Sequence, residues 1–297
     1  MKKDLLTLLD LTPNTLEQLL KRALVLKKER KRGHLLYRLR GKTLAMLFEK
    51  SSTRTRVSFE IAMRELGGGT VSLERGSSQI GRGESYGDTA RVLSGYAHGI
   101  LIRTFGHSIA EEVAREASIP VINGLTDLAH PCQLLADLLT VREYKKGKAK
   151  VAYVGDGNNM ANSWIHAAQR LQFPLAIATP KGYEPAAEVI EKIPGRSTIV
   201  LTNDPIEAVR GADVVNTDTW FSMGQEVTEE KREVFRPFQL NSTLLNHANK
   251  DAIVLHCLPA HRGEEITDEV MDGPQSRIWQ QAENRLHVQK AILEMLL

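Results

Sequence analysis

Short apolar runs alternate with helical patterns along most of the chain, and this alternation limits the possible folds more than any other feature. In the first half, the strand-like runs lie at 43–48, 70–74, 100–104 and 120–122. Helical patterns at 54–66, 85–97 and 107–117 separate them, and Gly67-Gly68-Gly69 marks the end of the first. Helices between successive strands favour a parallel sheet that is covered by helices.

A second alternating series predicts a second domain. A helical pattern at 131–145 ends in a polar stretch, and strand-like runs follow at 151–154 and near 175–179, 198–202, 213–217 and 252–257. The last helical pattern runs from about 276 to the end, which is long enough to cross back to the first domain. We therefore predict an α/β fold with two domains, 1–147 and 148–297, each a parallel sheet flanked by helices.

Composition and charge exclude several classes of protein. The 297 residues are 42% hydrophobic and carry a formal net charge of only +3, as expected for a soluble globular protein that binds neither nucleic acid nor membranes. The basic run at 27–32 falls at the end of an amphipathic helix, where cations complement the helix dipole. Two cysteines, no membrane-length apolar stretch and no signal-like N-terminus predict a reducing, cytoplasmic location.

The segment Ser51-Ser52-Thr53-Arg54-Thr55-Arg56 predicts an anion site. It follows the strand-like run 43–48 and begins a helical pattern, so its backbone N–H groups would point towards a bound anion. One hydroxyl is enough to cap a helix, whereas this segment has four hydroxyls and two guanidiniums. Guanidinium groups suit phosphate oxygens because they bind them in a bidentate manner.

Two more segments in the first half extend this prediction. Arg103 comes at the end of a strand-like run, where ligand sites open in parallel α/β sheets. His130-Pro131-Cys132-Gln133 begins a helix with an imidazole and an amide, which suit a carbonyl group and its amino group. A structural role remains open for Arg103 and for His130 when each is considered alone.

The second half offers polar groups at strand ends. Val154 is followed by Gly155-Asp156-Gly157-Asn158-Asn159, whose Gly-x-Gly turn lacks the third glycine of a dinucleotide-binding loop. Asp218 ends another strand-like run, and a carboxylate there is a natural partner for an amine. Ser222-Met223-Gly224 follows it, and His256-Cys257-Leu258-Pro259 ends the last run.

Neither zinc nor a covalent intermediate is needed to explain these residues. Paired metal-ligand motifs of the Cys-x-x-Cys or His-Glu-x-x-His kind are absent from the sequence, so we predict no metal and no cofactor. Cys257 could act as a nucleophile because nearby histidines could lower its pKa. An amine can, however, attack an activated acyl phosphate directly, which leaves the protein to position the reactants and stabilise the oxyanion.

These motifs together resemble the aspartate/ornithine carbamoyltransferase family. The Ser-Thr-Arg-Thr-Arg and His-Pro-Cys-Gln segments are similar to both branches, whereas Asp218 with Ser222-Met223-Gly224, and His256-Cys257-Leu258-Pro259, are similar to the ornithine branch. The stretches Asp88–Ser94 and Glu283–His287 also resemble that branch.

The resemblance implies a role for each matching residue. It implies that carbamoyl phosphate is bound by Ser52, Thr53, Arg54, Thr55, Gln79, Arg103, His130, Pro131, Cys132, Gln133, Cys257, Leu258 and Arg285. It implies that ornithine is bound by Asn159, Asp218, Ser222 and Met223, and that Arg54, Arg103, His130, Cys257 and Asp218 are catalytic. Gln79 would reach the site of a neighbouring subunit in a homotrimer or an assembly of trimers.

The implied reaction transfers the carbamoyl group of carbamoyl phosphate to the side-chain amine of L-ornithine, giving L-citrulline and phosphate. The alternatives are a carbamoyltransferase for aspartate, putrescine or an acylated ornithine, and a non-catalytic phosphate-binding protein with the same fold. The sequence leaves open whether the reaction serves arginine biosynthesis or catabolism.

Overall fold

The structure is a computed structural model that describes residues 3–35, 37–50, 52–77, 79–222 and 224–297. The chain divides into two compact units, unit 1 with Met1–Ala136 and Asn284–Leu297, and unit 2 with Asp137–Glu283. The predicted boundary at residue 147 stays a prediction. Met223, a predicted ornithine contact, and Ser51 lie outside the described residues. Within the described ranges, every helix is too short or too polar to cross a lipid bilayer.

Unit 1 is built on a four-stranded parallel sheet. Its strands are β1 (Thr43–Phe48), β2 (Gly69–Glu74), β3 (Gly99–Arg103) and β4 (Val121–Leu125), in the order β2-β1-β3-β4. The helices that precede and connect them are α1 (Pro13–Lys31), α2 (Thr53–Glu65), α3 (Tyr86–Tyr96) and α4 (His107–Glu116), and α5 (Pro131–Tyr144) follows β4. The central strands β1 and β3 are almost wholly buried, as continuous apolar runs in a parallel sheet should be.

Unit 2 is built on a five-stranded parallel sheet in the order β7-β6-β5-β8-β9. Its strands are β5 (Val151–Val154), β6 (Leu175–Ala178), β7 (Ile199–Thr202), β8 (Val214–Thr217) and β9 (Ile253–His256). The helices are α6 (Asn159–Leu171), α7 (Ala187–Ile190), α8 (Pro205–Val209), α9 (Glu229–Phe235), α10 (Ser242–Leu245) and α11 (Asp268–Met271), with α12 (Ile278–Leu296) last. These bounds confirm the predicted α/β fold with two parallel sheets flanked by helices.

The last part of α12 packs on the first domain, as predicted. Glu294 accepts two hydrogen bonds from the Arg22 guanidinium of α1, at 2.6 and 2.9 Å. Lys290 forms an ion pair of 2.6 Å with Glu65 at the end of α2. Ile292 and Leu293 of the same segment are fully buried. Residues 284–297 are therefore part of the core of unit 1 although they end the chain.

Candidate active site

In both sheets, polar segments lie at the carboxyl ends of the strands where the strand order reverses. From β1 the chain adds β2 on one side and then β3 on the other, and from β5 it adds β6 on one side and later β8 on the other. Ligands bind in open α/β sheets beyond the carboxyl ends of the two strands at such a switch point. The segments at these ends hold Ser52–Arg56 and Arg103 in unit 1, and Gly155–Asn158 and Asp218 in unit 2. We call these two places the unit 1 site and the unit 2 site.

The start of α2 is arranged for an anion. Ser52 occupies the N-cap position, yet its side chain makes no capping hydrogen bond to the described part of this helix. The first turn carries Thr53, Arg54 and Thr55 and has no acidic residue that would neutralise the helix dipole. Within the described residues, the Ser52 hydroxyl therefore does not compete with a ligand for the first N–H groups of the helix. The Arg54 Nε is buried and has no hydrogen-bond partner among the described residues.

Arg285 joins three elements of the unit 1 site. It belongs to α12, and its Nη2 donates to the Thr55 Oγ1 at 2.7 Å. Its Nη1 donates to the Gln133 Oε1 in the first turn of α5 at 3.1 Å. All three side chains are buried. Arg285 therefore fixes the rotamers of two residues that were predicted to bind carbamoyl phosphate.

His130 lies among the guanidiniums of this site. Burial lowers its pKa well below the ordinary value of 6.5, and the positive charges of Arg285, Arg103 and Arg54 lower it further. The imidazole is therefore neutral near pH 7, while the charge of the site comes from the three arginines. The unit 1 site brings together Arg54, Thr55, Arg103, His130, Gln133 and Arg285. Their contact with carbamoyl phosphate stays a prediction.

Three other predicted contacts have different surroundings. The Cys132 thiol is fully buried, donates to the Asn123 carbonyl oxygen at 3.4 Å, and has its pKa raised by burial to about 12. Pro131 is also buried, as the first residue of α5. Gln79 is exposed and begins the short 3-10 segment Gln79–Arg82. Its predicted contact with a neighbouring subunit stays a prediction.

Asp218 is the centre of the unit 2 site. It follows β8, is buried, and accepts a hydrogen bond from the Cys257 Sγ at 2.8 Å on its Oδ1. Its Oδ2 accepts from the Asn158 Nδ2 at 2.9 Å. The Asn158 Oδ1 in turn accepts from the Tyr153 hydroxyl at 3.1 Å. Asp218 and Cys257, which were both predicted to be catalytic, are thus direct partners.

The turn after β5 packs against protein backbone. Gly155 has a φ of +143°, which favours glycine. A Cβ on Gly157 would lie 2.2 Å from the Glu184 carbonyl carbon, so only glycine fits there. In a dinucleotide-binding loop the second glycine admits a pyrophosphate, whereas here the space is filled by residues 184–185. The packing agrees with the sequence argument against a dinucleotide site.

The segment after β9 is held by buried hydrogen bonds. The His256 Nδ1 accepts from the Leu258 N–H at 2.9 Å, so the proton is on Nε2, which bonds the Glu265 Oε1 at 2.9 Å. The His256 N–H donates to the Gln281 Oε1 at 2.9 Å. Leu258 has a φ of +61°, in a region that non-glycine residues seldom adopt. The turn that carries Cys257 and Leu258 is therefore closely fixed.

Among the described residues, two of the predicted ornithine contacts follow the strands β5 and β8. Asn159 is the first residue of α6, next to Asn158. Ser222 is half-buried, and its N–H donates to the Gln225 Oε1 at 3.1 Å. The predicted set did not include Asn158 and Tyr153. Asn158 could have been recognised from its place in the turn, but the contact of Tyr153 depends on a side chain in the middle of a buried strand.

Two groups of side chains in the described residues have the spacing of metal ligands. They are Asp218 with His256 and Cys257, and His261 with Glu264 and Glu265. Both ring nitrogens of His256 are already used in hydrogen bonds. Its coordination of a metal would require breaking one of them, and Asp218 and Cys257 are likewise hydrogen-bonded to each other.

Comparison with known proteins adds to this geometry. The family model described as the carbamoyl-P binding domain of aspartate/ornithine carbamoyltransferase matches residues 3–143, and the model of the Asp/Orn binding domain matches residues 147–296. The chain is 56% identical to an ornithine carbamoyltransferase of Syntrophus aciditrophicus, over all of both chains. It is 54% identical to that of Bacillus subtilis, over 99% of this chain and 94% of the relative.

A solved structure supports the same grouping. The ornithine carbamoyltransferase from Pyrococcus furiosus superposes with a TM-score of 0.95 at 49% identity, covering 100% of this chain and 97% of the other. Sequence similarity, fold similarity and the residues at both switch points agree. The chain therefore belongs to the aspartate/ornithine carbamoyltransferase family.

Proposed function

We propose that this protein is an ornithine carbamoyltransferase, which converts carbamoyl phosphate and L-ornithine into L-citrulline and phosphate. The observation that carries this proposal is the unit 1 site, where three arginines lie around a neutral histidine and the N-cap serine of α2 makes no capping hydrogen bond within the described residues. High identity to relatives named ornithine carbamoyltransferase supports the choice of amine.

The unit 1 site would bind carbamoyl phosphate. The phosphate group fits the N-terminus of α2 with Ser52, Thr53, Arg54 and Thr55, because N–H groups, hydroxyls and guanidiniums all donate to its oxygens. Arg103 and neutral His130 would donate to the carbonyl oxygen, and Gln133 would accept from the carbamoyl amino group. Pro131 and Cys132 would contribute through the backbone, since the Cys132 thiol already bonds to Asn123.

The unit 2 site would bind ornithine, with Asn159, Asp218, Ser222 and Met223 holding its α-amino and α-carboxylate groups. Cys257 and Leu258 would complete the carbamoyl phosphate site from the turn after β9. An isolated alkyl amine has a pKa near 10.4, so roughly one molecule in 2,500 is neutral at pH 7. Asp218 with its partner Cys257 is suited to orient the side-chain amine and to accept its proton.

The chemical step would be a direct attack. The neutral amine nitrogen forms a bond to the carbamoyl carbon, and the carbonyl oxygen becomes negative in a tetrahedral intermediate. Arg54, Thr55, Arg103 and His130 would stabilise that oxygen and the departing phosphate. The C–O bond to phosphate then breaks, and the amine proton passes to Asp218 or to solvent. Arg285 would act by holding Thr55 and Gln133 in place.

We further propose that the protein works as a homotrimer, or as an assembly of trimers, in the cytoplasm. The exposure of Gln79 supports the assembly, because a residue that serves a neighbouring site must be accessible in the single chain. In this proposal, residues 1–147 form the carbamoyl phosphate domain and residues 148–297 the ornithine domain, with the final helix crossing back.

The decisive experiment measures citrulline formation by the purified protein with carbamoyl phosphate and L-ornithine. Aspartate, putrescine and N-acetylornithine are tested beside it at equal concentration. Turnover with ornithine alone is expected. Turnover with another amine instead would retain the carbamoyl phosphate site and overturn the proposed role of the unit 2 site. Carbamoyl phosphate binding without turnover of any amine would overturn the enzymatic assignment.

A further inference from the structure

Unit 2 contains a lysine whose ammonium group is enclosed by aromatic rings. Lys231 lies on the short helix α9, and only 11% of its side chain is exposed. Its Nζ lies 5.1 Å from the ring centroid of Tyr183, 5.3 Å from that of Phe221 and 5.1 Å from that of Phe235. Each distance is within the range of a cation–π interaction. The rings come from three separate segments, so no local sequence pattern predicts this cage.

Within the cage the ammonium joins two loops. Its Nζ donates to the Asp156 Oδ2 at 3.1 Å and to the Gln225 Oε1 at 3.1 Å. Asp156 belongs to the turn after β5, two residues before Asn158, which contacts Asp218. Gln225 belongs to the loop that begins at Ser222. Lys231 thus connects the two loops that hold the proposed ornithine contacts.

The connection continues to the backbone of Ser222. The Gln225 Oε1 that accepts from Lys231 also accepts from the Ser222 N–H at 3.1 Å, and the Gln225 N–H donates to the Ser222 carbonyl oxygen at 3.0 Å. Residues 224–227 are exposed and have little packing of their own. The position of the loop therefore depends on a few hydrogen bonds, and the one from Lys231 is charge-assisted and partly buried.

Burial of a lysine requires an explanation, because an ammonium group loses favourable hydration when it is buried, and its new partners must offset that loss. A methionine would fill an aromatic pocket without that cost. What an ammonium group adds here, and a methionine could not, is a hydrogen bond to an oxygen on each of two loops. Asp156 provides the countercharge. Gln225 provides a second acceptor, whose Oε1 also accepts from the backbone N–H of Ser222.

We propose that Lys231 is a positioning residue for ornithine specificity, on the premise that the unit 2 site binds ornithine as proposed above. It acts through Gln225 to hold the backbone at Ser222, and through Asp156 to hold the turn that carries Asn158 and Asn159. It does not touch the reacting atoms. Its loss should therefore weaken the binding of ornithine and leave the binding of carbamoyl phosphate unchanged.

The test compares Michaelis constants for the two substrates in the full-length protein. For Lys231→Met, the KM for ornithine should rise about tenfold or more, as expected when a charge-assisted hydrogen bond is lost. The KM for carbamoyl phosphate should stay within about twofold of wild type. Lys250→Met, at an exposed position in the same unit, is the matched control and should change neither constant.

Gln225 variants separate positioning from packing. Gln225→Leu removes the acceptor but leaves the cage intact, so it should reproduce the rise in ornithine KM. Gln225→Glu keeps an acceptor for both donors and should restore nearly normal binding. The double variant Lys231→Met with Gln225→Leu should raise the ornithine KM by less than the product of the two single effects, since the hydrogen bond between Lys231 and Gln225 is lost in both single variants.

Several outcomes would overturn the inference. They are an unchanged ornithine KM in folded Lys231→Met, an equal rise for both substrates, and additive effects in the double variant. If Lys231→Met fails to fold, the Gln225 variants at an exposed position decide the question alone. A wild-type protein that makes no citrulline would refute the proposed function instead, so the two failures are distinguishable.

Discussion

At the scale of single residues, the unit 1 site concentrates positive charge without protonating its histidine. Burial and three guanidiniums all lower the pKa of His130. A neutral imidazole can donate to a carbonyl oxygen without repelling Arg54 or Arg103, and the arginines stay charged at every accessible pH. The site therefore keeps the same charge when the pH crosses the ordinary range of histidine. For catalysis, the constant charge means that the site offers the same donors across this pH range. For stability, it means that only the unfolded chain takes up a proton at His130.

Arg54 and Arg56 provide a matched pair for the catalytic prediction. Arg54 lies close to His130, whereas Arg56 is exposed and forms ion pairs with Glu60 and Glu74. We expect Arg54→Ala to lower kcat/KM by about 100-fold or more, because it removes a donor to the developing negative charge. Arg56→Ala should retain most activity. Steady-state kinetics and thermal unfolding of both variants test this, and near-normal kcat/KM in folded Arg54→Ala would refute the assignment.

The depressed pKa of His130 predicts how stability changes with pH. The unfolded chain binds a proton at this residue below about pH 6.5, while the folded protein does not, so acid favours unfolding. Between pH 7.5 and 5.5 this one group removes at most about 1.4 kcal/mol of folding free energy. His130→Asn cannot take up that proton, so its stability should fall by less over the same interval.

Urea unfolding at the two pH values measures this difference. His247→Asn, at an exposed position, is the control and should retain the full acid-induced loss of the wild type. An identical loss in wild type and His130→Asn would show that the imidazole of His130 titrates in the folded protein as it does in the unfolded chain.

At the scale of elements, the first turns of two helices in unit 1 differ in the use of their N-cap serine. Ser85 caps α3 through a hydrogen bond from the Asp88 N–H at 3.0 Å. Ser52 occupies the same position on α2 and makes no such bond within the described residues. A functional anion site explains the difference, because a capping hydroxyl would compete with the ligand for the N–H groups of the helix.

Replacement of these two serines tests that explanation. Ser85→Ala should destabilise the protein by about 1 kcal/mol, the usual cost of losing an N-cap. Ser52→Ala should change stability by less than about 0.5 kcal/mol and should raise the KM for carbamoyl phosphate. Urea unfolding and steady-state kinetics give both quantities. A Ser52→Ala variant that is destabilised like Ser85→Ala, with an unchanged KM, would mean that Ser52 is an ordinary cap.

Helices and strands were easier to predict from the sequence than contacts between side chains. Strand and helix bounds follow from hydrophobic periodicity and from glycine, so β1 and α12 agree with their predictions within two residues. Residues next to strand ends, such as Arg103 and Asp218, could also be recognised. The contact of Tyr153 with Asn158 could not, because it depends on how a side chain of a buried strand packs. The contacts of Lys231 could not, because they join segments far apart in sequence.

At the scale of the whole molecule, the last helix, α12, contributes to the unit 1 site, whose other residues come from the first half of the chain. Arg285 binds Thr55 across 230 residues of sequence, and the same helix is held to α1 by the Arg22–Glu294 ion pair. Unit 1 can therefore form its complete site only after the last helix has been added. The proposed trimer would extend this principle, since Gln79 would complete the site of another chain.

Mixed trimers test the contribution of Gln79. If Gln79 serves the site of a neighbour, Arg54→Ala and Gln79→Ala protomers are each inactive alone but complement each other when assembled together. In an equal mixture with random assembly, about a quarter of the sites receive an intact Arg54 from one chain and an intact Gln79 from the next. Denaturing and refolding the mixture should thus recover up to about a quarter of wild-type activity. If Gln79 served its own chain, every site would carry one defect, and refolding the mixture would recover nothing.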